Sequence, residues 1–369
     1  MKNVFILRSN AVNPDPRVEK IATLLQPNYS VTILAWDREK ESNKNELLFN
    51  QIPIIKFGPK SKFGTGYKGI IALFIWQISL LVKLLKFQNK IDIIHACDMD
   101  TVIPAFFLKT FFKKKVIYDM FDHYAYSRKF PSTINRIICK LEDYFAYNAN
   151  GLILVDDIRI SQIKKLNLNT KIIYNSPQRI TFEKEITKKP NTISYVGILQ
   201  PHRYIIEMID NITILKNWHL NIAGFGILED EIKNKIAKIG LSNVNFIGRV
   251  DYKSGLLQSH KAEVIVAIYD PSIPNHKYAS PNKYFEALML EKIVIAAKGT
   301  HIDKEILSEQ VGFVFEYGNS NDFLEVLKKI ERLTNEEKLE ISGRAKNLYL
   351  KKYSYEQLGN SLNELYNSI

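Results

Sequence analysis

Cysteine is almost absent from this chain. Cys97 and Cys139 are the only two in 369 residues, and they stand in no metal-binding spacing. A disulfide framework and a cysteine zinc site are thereby excluded, and a reducing compartment fits. The charge-free apolar run Gly69–Val82 counts 14 residues, short of the roughly 18 that a spanning helix needs. The first residues, Met1 to Leu7, lack the layout of a signal peptide. They read as a strand, Val4–Leu7, so nothing suggests secretion. Low-complexity tracts and short repeats are missing too. Gly224-Phe225-Gly226 opens like a dinucleotide fingerprint, but no third glycine follows at the needed spacing. It reads as a tight turn.

What is present is ordinary globular material, with 46% hydrophobic and 24% charged residues. The length exceeds one ordinary core and suits two α/β domains. The net charge of +12 is unevenly placed. Residues 1–180 hold 27 Lys+Arg against 15 Asp+Glu, while residues 181–369 hold 24 of each. An excess confined to one half points to a polyanionic partner of that half. The candidates are nucleic acid and an anionic membrane surface.

Two series of short apolar strands alternate with helical stretches. The first has strands at 4–7, 31–34, 91–94, 115–118, 151–155 and 171–174, with a helix over about 17–25. The second has strands near 192–197, 219–223, 244–247, 264–268, 293–297 and 312–315, and closes with a helix over about 355–366. This alternation predicts parallel sheets covered on both faces. The expected domains are 1–178 and 192–350, joined by a polar linker at 179–191. Residues 351–369 form a last helix able to pack back on the first domain.

Chemistry concentrates in the segment from Ser280 to Met289. Ser280 suits an N-cap and Pro281 the first helical position. A helix N-terminus offers free amides and a positive dipole end to a diphosphate. Lys283 in the first turn is badly placed unless an anion joins it. Glu286 falls on the face shared with Asn282 and Lys283, where a carboxylate can accept hydrogen bonds from two ribose hydroxyls. An ordinary surface helix remains the alternative from spacing alone.

The whole chain resembles the family-4 glycosyltransferases of the GT-B fold. Tyr195-Val196-Gly197, Ala223-Gly224-Phe225-Gly226, Asn245-Phe246-Ile247-Gly248 and Phe285-Glu286-Ala287-Leu288-Met289 carry the likeness in the second half. The run Asn13-Pro14-Asp15-Pro16-Arg17-Val18 resembles the loop and helix start of one branch. The resemblance implies two Rossmann-like domains with parallel sheets facing a central cleft. The second domain would bind a UDP- or GDP-linked donor and the first the acceptor. Transfer would retain anomeric configuration without a metal or other cofactor. The family pattern is a Glu, seven residues, and a second Glu. Glu286 matches the second, but Tyr278 stands where the first belongs, and a phenol offers no carboxylate charge. Arg203 and Lys283 fill the roles of the cations that neutralise the diphosphate. His123 matches a histidine that touches the transferred sugar. Gly197, Gly224, Tyr278, Ser280, Pro281, Asn282 and Glu286 become the donor-binding residues. Asn13, Arg17 and Asp122 become acceptor or cleft residues. His95 ends a strand and could line the cleft, although a structural histidine is the stronger reading of it. Asp98-Met99-Asp100 looks like the metal-binding Asp-x-Asp of the other large glycosyltransferase fold, and the strand–helix order argues against that role.

Lys62, Lys68, Lys83, Lys86 and Lys90 flank the apolar run at 69–82. Phe106, Phe107, Phe111 and Phe112 precede Lys113-Lys114-Lys115. Apolar faces edged by lysine suit a helix lying on anionic lipid, while core helices of the first domain remain the alternative. No helix-turn-helix, zinc or RNA-binding signature accompanies the charge, so no nucleic-acid partner is expected. The expectation is a cytoplasmic glycosyltransferase, peripheral on the inner membrane face, extending a lipid-linked saccharide in surface polysaccharide assembly. A sugar-nucleotide epimerase of the same fold and a non-catalytic binding protein are the other readings. The first needs two carboxylates in the cleft, and the second would show neither donor hydrolysis nor transfer.

Overall fold

The strand and helix periods of the sequence resolve into two doubly wound α/β units in a computed structural model. It describes all residues except 13–14, 40–44, 49–50, 62–66, 129, 181, 183–188 and 241, and the side chains of 45, 67 and 68. Unit 1 comprises Met1–Tyr174 and Leu358–Ile369, and unit 2 comprises Asn175–Gln357. The first boundary falls four residues before the expected 178. The return to unit 1 comes at 358, not 351, because Tyr349 and Tyr353 are still held in unit 2. Tyr349 Oη donates to Pro177 O at 2.8 Å, and Tyr353 packs on Phe285 at 4.9 Å between ring centroids.

In unit 1 the strands are β1 (Lys2–Arg8), β2 (Tyr29–Trp36), β3 (Asn45–Leu47), β4 (Pro53–Phe57), β5 (Ile93–Cys97), β6 (Lys115–Met120), β7 (Gly151–Leu154) and β8 (Thr170–Ile172). The helices are α1 (Pro16–Leu25), α2 (Tyr67–Phe87), α3 (Met99–Phe112), α4 (Tyr124–Ser127) and α5 (Ser132–Asn148). The sheet runs β3-β4-β2-β1-β5-β6-β7-β8, parallel except for β3 on β4. β3 and β4 were absent from the expected strands, and β5 starts two residues later than expected. Alternation along β1 divides the core. Phe5 and Leu7 join Trp76, Leu80 and Leu84 of α2, Val102 of α3 and Phe145 of α5 in one buried cluster. Each such side chain, fully buried, contributes about 1.5–3 kcal/mol. The opposite face is met by α1 and by the last helix, where Leu365 sits against Gly151 and Leu24 against Gly359. Asp15 caps α1, accepting from Val18 N at 3.2 Å, with Pro16 at the first turn.

Unit 2 has β9 (Thr192–Ile198), β10 (His219–Phe225), β11 (Val244–Gly248), β12 (Val264–Val266), β13 (Ile293–Ala297) and β14 (Gly312–Phe315). Its helices are α6 (Ile205–Ile214), α7 (Glu229–Ile239), α8 (Tyr252–Lys261), α9 (Asn282–Met289), α10 (Ile302–Ser308), α11 (Ser320–Arg332) and α12 (Asn335–Leu348). The last helix, α13 (Tyr355–Asn367), begins here and ends in unit 1. The sheet is all parallel, in the order β11-β10-β9-β12-β13-β14. Strand order reverses between β9 and β12, and such a switch point leaves a crevice beyond the strand ends. Gly197, next to the last residue of β9, lies there beside Gly224 of β10.

Candidate functional site

Backbone geometry opens the crevice of unit 2. Gly197 and Gly224 have φ of +149° and +148°, which side chains disfavour. A Cβ at Gly224 would lie 1.8 Å from Gly197 O, and one at Gly197 would lie 2.9 Å from Lys283 Nζ. Conformation favours glycine at both positions, and space requires it at Gly224, where a backbone carbonyl cannot give way as the end of the Lys283 side chain can. The ammonium of Lys283 fills the room that Gly197 leaves, 4.5 Å from the centre of the Tyr195 ring. Tyr195 is itself fixed, its hydroxyl donating to Ile198 O at 2.8 Å.

Helix α9 carries the other groups, with Pro281 rather than Ser280 as its cap residue and Asn282 as its first residue. The start is one residue later than expected because Pro281 keeps an extended ψ of 128°. Pro281 is buried, Asn282 exposed, and Ser280 and Tyr278 half-buried. Lys283 stays in the first turn, without a capping acid beside it. Burial pulls its ammonium down to about 8. Glu286 opposes that pull and Arg203 reinforces it. Glu286 is buried, and burial pushes its carboxyl up against the restraint of Lys283 and the Tyr252 hydroxyl. Tyr252, from α8, is raised by burial and by the Glu286 charge that it hydrogen-bonds. Nothing in the sequence singles it out. A tyrosine at the second position after Gly-Arg-Val offers no periodic or spacing signal.

Arg203 is held by its loop. Its guanidinium lies 3.9 Å from the centre of the Tyr269 ring, and Nη1 reaches His276 Nε2 at 2.9 Å. His276 Nδ1 lies 3.0 Å from Asp270 O. With Nδ1 donating to that carbonyl, Nε2 is left to accept from the guanidinium. Burial and the Arg203 charge hold His276 below the usual imidazole range. His202 pairs with Asp270 at 2.8 Å. Arg203, Lys283 and Glu286 thus form one electrostatic cluster at the end of β9.

Unit 1 assigns its expected residues differently. Arg17 is buried, and its Nη2 and Nε reach Asp119 at 2.6 and 3.2 Å. His95 is fully buried between Asp119 Oδ2, at 3.2 Å, and Tyr366 Oη, at 2.8 Å. Burial would raise Asp119, but Arg17 and His95 outweigh it and hold the carboxyl low. Both Arg17 and His95 therefore act in a buried ion-pair network, which corrects the expected place of Arg17 in the cleft and gives His95 its structural role. Asn13 lies outside the described residues. Asp122 is exposed, and its Oδ1 accepts from Arg159 at 2.6 Å. His123 is buried at the start of α4, with Nδ1 3.0 Å from Glu142 Oε2 but not aligned to hydrogen-bond it. Burial pulls His123 down to about 4 and pushes Glu142 up to about 7. His123 also lines a cavity of about 540 Å³ with Tyr126, Asn135 and Gln162. Asp98 and Asp100 are engaged inside the unit. Asp98 accepts from Arg8 at 2.6 Å and from Phe121 N at 2.9 Å, and Asp100 accepts from Ser9 at 3.0 Å.

Residues 177–348 match the family described as glycosyl transferases group 1. No curated protein matches the sequence significantly. Among solved structures, sucrose-phosphate synthase from Thermosynechococcus elongatus superposes with a TM-score of 0.76 at 13% identity, covering 99% of this chain and 98% of that one. Anabaena HepE in complex with UDP gives 0.73 at 16% identity over 100% of both chains. A Staphylococcus aureus TarM variant in complex with fondaparinux, α-GlcNAc-glycerol and UDP gives 0.68 at 13% identity, again over 100% of both. At such identities the likeness concerns the fold, which is GT-B: two parallel-sheet α/β domains.

Proposed function

We propose that the protein is a retaining, metal-independent hexosyltransferase of family-4 type. It takes a sugar from a UDP- or GDP-linked donor held by unit 2 and passes it to a lipid-linked saccharide in surface polysaccharide assembly. The observation that carries this reading is the cluster of Lys283, Arg203 and Glu286 beyond the glycines of β9 and β10. The match of residues 177–348 to group 1 glycosyl transferases covers the same unit, and the HepE and TarM structures hold UDP.

The chemistry follows from the charges. A buried ammonium and a stacked guanidinium suit the two phosphates of a nucleotide sugar. When the sugar–phosphate bond breaks, negative charge grows on the leaving oxygen, and fixed cations stabilise it most at that moment. These cations supply the neutralisation that a divalent ion would otherwise give. Glu286, held by Tyr252, accepts from the ribose hydroxyls. Tyr278 faces the donor sugar with a phenol in place of the family's carboxylate. His123 reaches the transferred sugar, and Asp122 belongs to the acceptor side.

Thermal shift against UDP, GDP and their sugars tests the reading. A ligand at a hundredfold excess over Kd stabilises by about 2.7 kcal/mol. One nucleotide series should raise Tm, and its sugar should then transfer to a saccharide acceptor. No shift with any nucleotide would overturn the assignment.

A further inference from the structure

Of the thirty large apolar side chains exposed among the described residues, fifteen lie on three helices of one layer of unit 1. Helix α2 presents Ile70, Phe74, Ile78 and Val82 at intervals of four, with Ile71 and Ile75 beside them. Helix α3 presents Ile103, Phe107 and Phe111 at the same interval, with Phe112. Helix α5 presents Ile134, Ile137, Leu141 and Tyr144, with Tyr147. The three share one core on their inner sides, α2 packs on α3 and α3 on α5. Their stripes therefore face outward together. Phe106 ties α3 to α5, 4.7 Å from Phe145 between ring centroids. Soluble monomers seldom expose so continuous an apolar surface unless something covers it.

The charges on this layer name the occupant. Lys86, Lys113, Lys115, Arg136 and Lys140 are exposed on these helices or at their ends, and Lys83 and Lys109 are half-exposed. The acids are withdrawn: Asp100 and Glu142 are buried, and Asp143 is half-buried. Lys62 and the side chain of Lys68 lie outside the described residues. A second copy would set the same basic edges against each other across a two-fold contact. A nucleic acid would leave isoleucine and valine in water. An anionic bilayer satisfies both parts, since apolar side chains enter the acyl boundary and lysines meet headgroups.

We propose that the outer face of α2, α3 and α5 seats unit 1 on an anionic lipid bilayer, lying on it without crossing. Gly69–Lys90 is long and apolar enough to span, with a mean hydropathy of 2.0. Yet Trp76, Leu80 and Leu84 are fully buried against the sheet. Trp76 stacks on Trp36 at 5.1 Å and donates to Asp100 O at 3.1 Å. Extracting this helix would dismantle the core of unit 1. The proposal is independent of the nucleotide reading, though a lipid-linked acceptor would give it a purpose.

The test is co-sedimentation of the full chain with phosphatidylcholine vesicles and with vesicles also carrying phosphatidylglycerol. Binding should require the anionic lipid and be released by salt, which screens exposed charges. Phe74→Glu, Phe111→Glu and Leu141→Glu, one on each helix, should each lower partitioning roughly tenfold. All three sites are exposed, so nucleotide-induced thermal shifts should be unchanged and report an intact fold. Equal binding to both vesicle types, or none, would overturn the proposal. Parent-like binding by Leu141→Glu would remove α5 from the surface. A lipid-free dimer that the same substitutions dissociate would make a second copy the occupant instead.

Discussion

Lys283 Nζ lies 2.9 Å from the point where any residue other than glycine at position 197 would carry its Cβ. The lysine can reach inward only because the strand end has no side chain. Gly197→Ala should therefore push the ammonium out and strain the backbone, whose φ is +149°. The expected cost is about 1–3 kcal/mol of stability, with weakened nucleotide binding. Denaturant unfolding and a nucleotide titration read the two effects separately.

Glu286, Lys283 and Arg203 should fail in different ways. Under the proposed function, Glu286→Ala removes hydrogen bonds to ribose that persist in ground and transition states. At about 1.5–3 kcal/mol for bonds to a charged partner, nucleotide affinity should fall roughly ten- to a hundredfold. Lys283→Ala and Arg203→Ala should lose kcat more than nucleotide affinity, because they meet charge that develops during bond breaking. Steady-state kinetics and titration of the three variants decide this. Parent-like behaviour in all three would move the donor site elsewhere.

Nucleotide binding should take up a proton at mildly alkaline pH. Burial pulls Lys283 down to about 8 in the free protein, and a diphosphate favours its ammonium. Affinity should fall as pH rises through about 8. Stability of the free protein should move the other way. Between about 8 and the unfolded lysine value the unfolded chain binds more protons, so this group's contribution to stability rises with pH. Calorimetry in buffers of different ionisation enthalpy measures the uptake, and Lys283→Met should abolish it.

Arg17→Ala should behave as a core lesion. It strands the buried Asp119 carboxylate, and breaking a buried pair costs about 3–5 kcal/mol. Asp119 is held low in the folded state. Its contribution is therefore present above the unfolded aspartate value and lost as pH falls through the folded one. Unfolding curves between neutral and acid pH give both numbers. Unchanged stability with lost acceptor affinity would return Arg17 to the cleft.

Transfer should survive a chelator. Asp98 and Asp100 are committed to Arg8, Phe121 N and Ser9, and the proposed diphosphate site has two protein cations, Lys283 and Arg203. Loss of activity in chelator, restored by Mn²⁺ or Mg²⁺, would reinstate Asp98 and Asp100 as a metal site.

The sequence was most legible where one period dominates. The strands beginning at Thr192, His219, Val244, Ile293 and Gly312 stand within a residue or so of their expected starts. Strands β3 and β4 escaped because they are short and Pro53 interrupts the apolar run around them. Lys283 and Glu286 could be grouped from spacing because one short helix carries both. Tyr252 could not, since it reaches Glu286 from another helix. Arg17 and His95 looked like loop and strand-end chemistry. What they pair with, Asp119, lies 102 and 24 residues away, and such distances leave no trace in local pattern. The stripe on α5 was hidden by the Arg, Lys and acidic residues interleaved with it.

The route of the chain leaves one half waiting for its own ending. Gly151 meets Leu365, and His95 meets Tyr366, so unit 1 lacks part of one face until residues 358–367 have been synthesised. The whole of unit 2 is made in the interval. On a ribosome, the second unit can therefore complete its core while the first still exposes the apolar face awaiting α13. Premature termination before 358 would leave unit 2 whole and unit 1 open to aggregation or proteolysis.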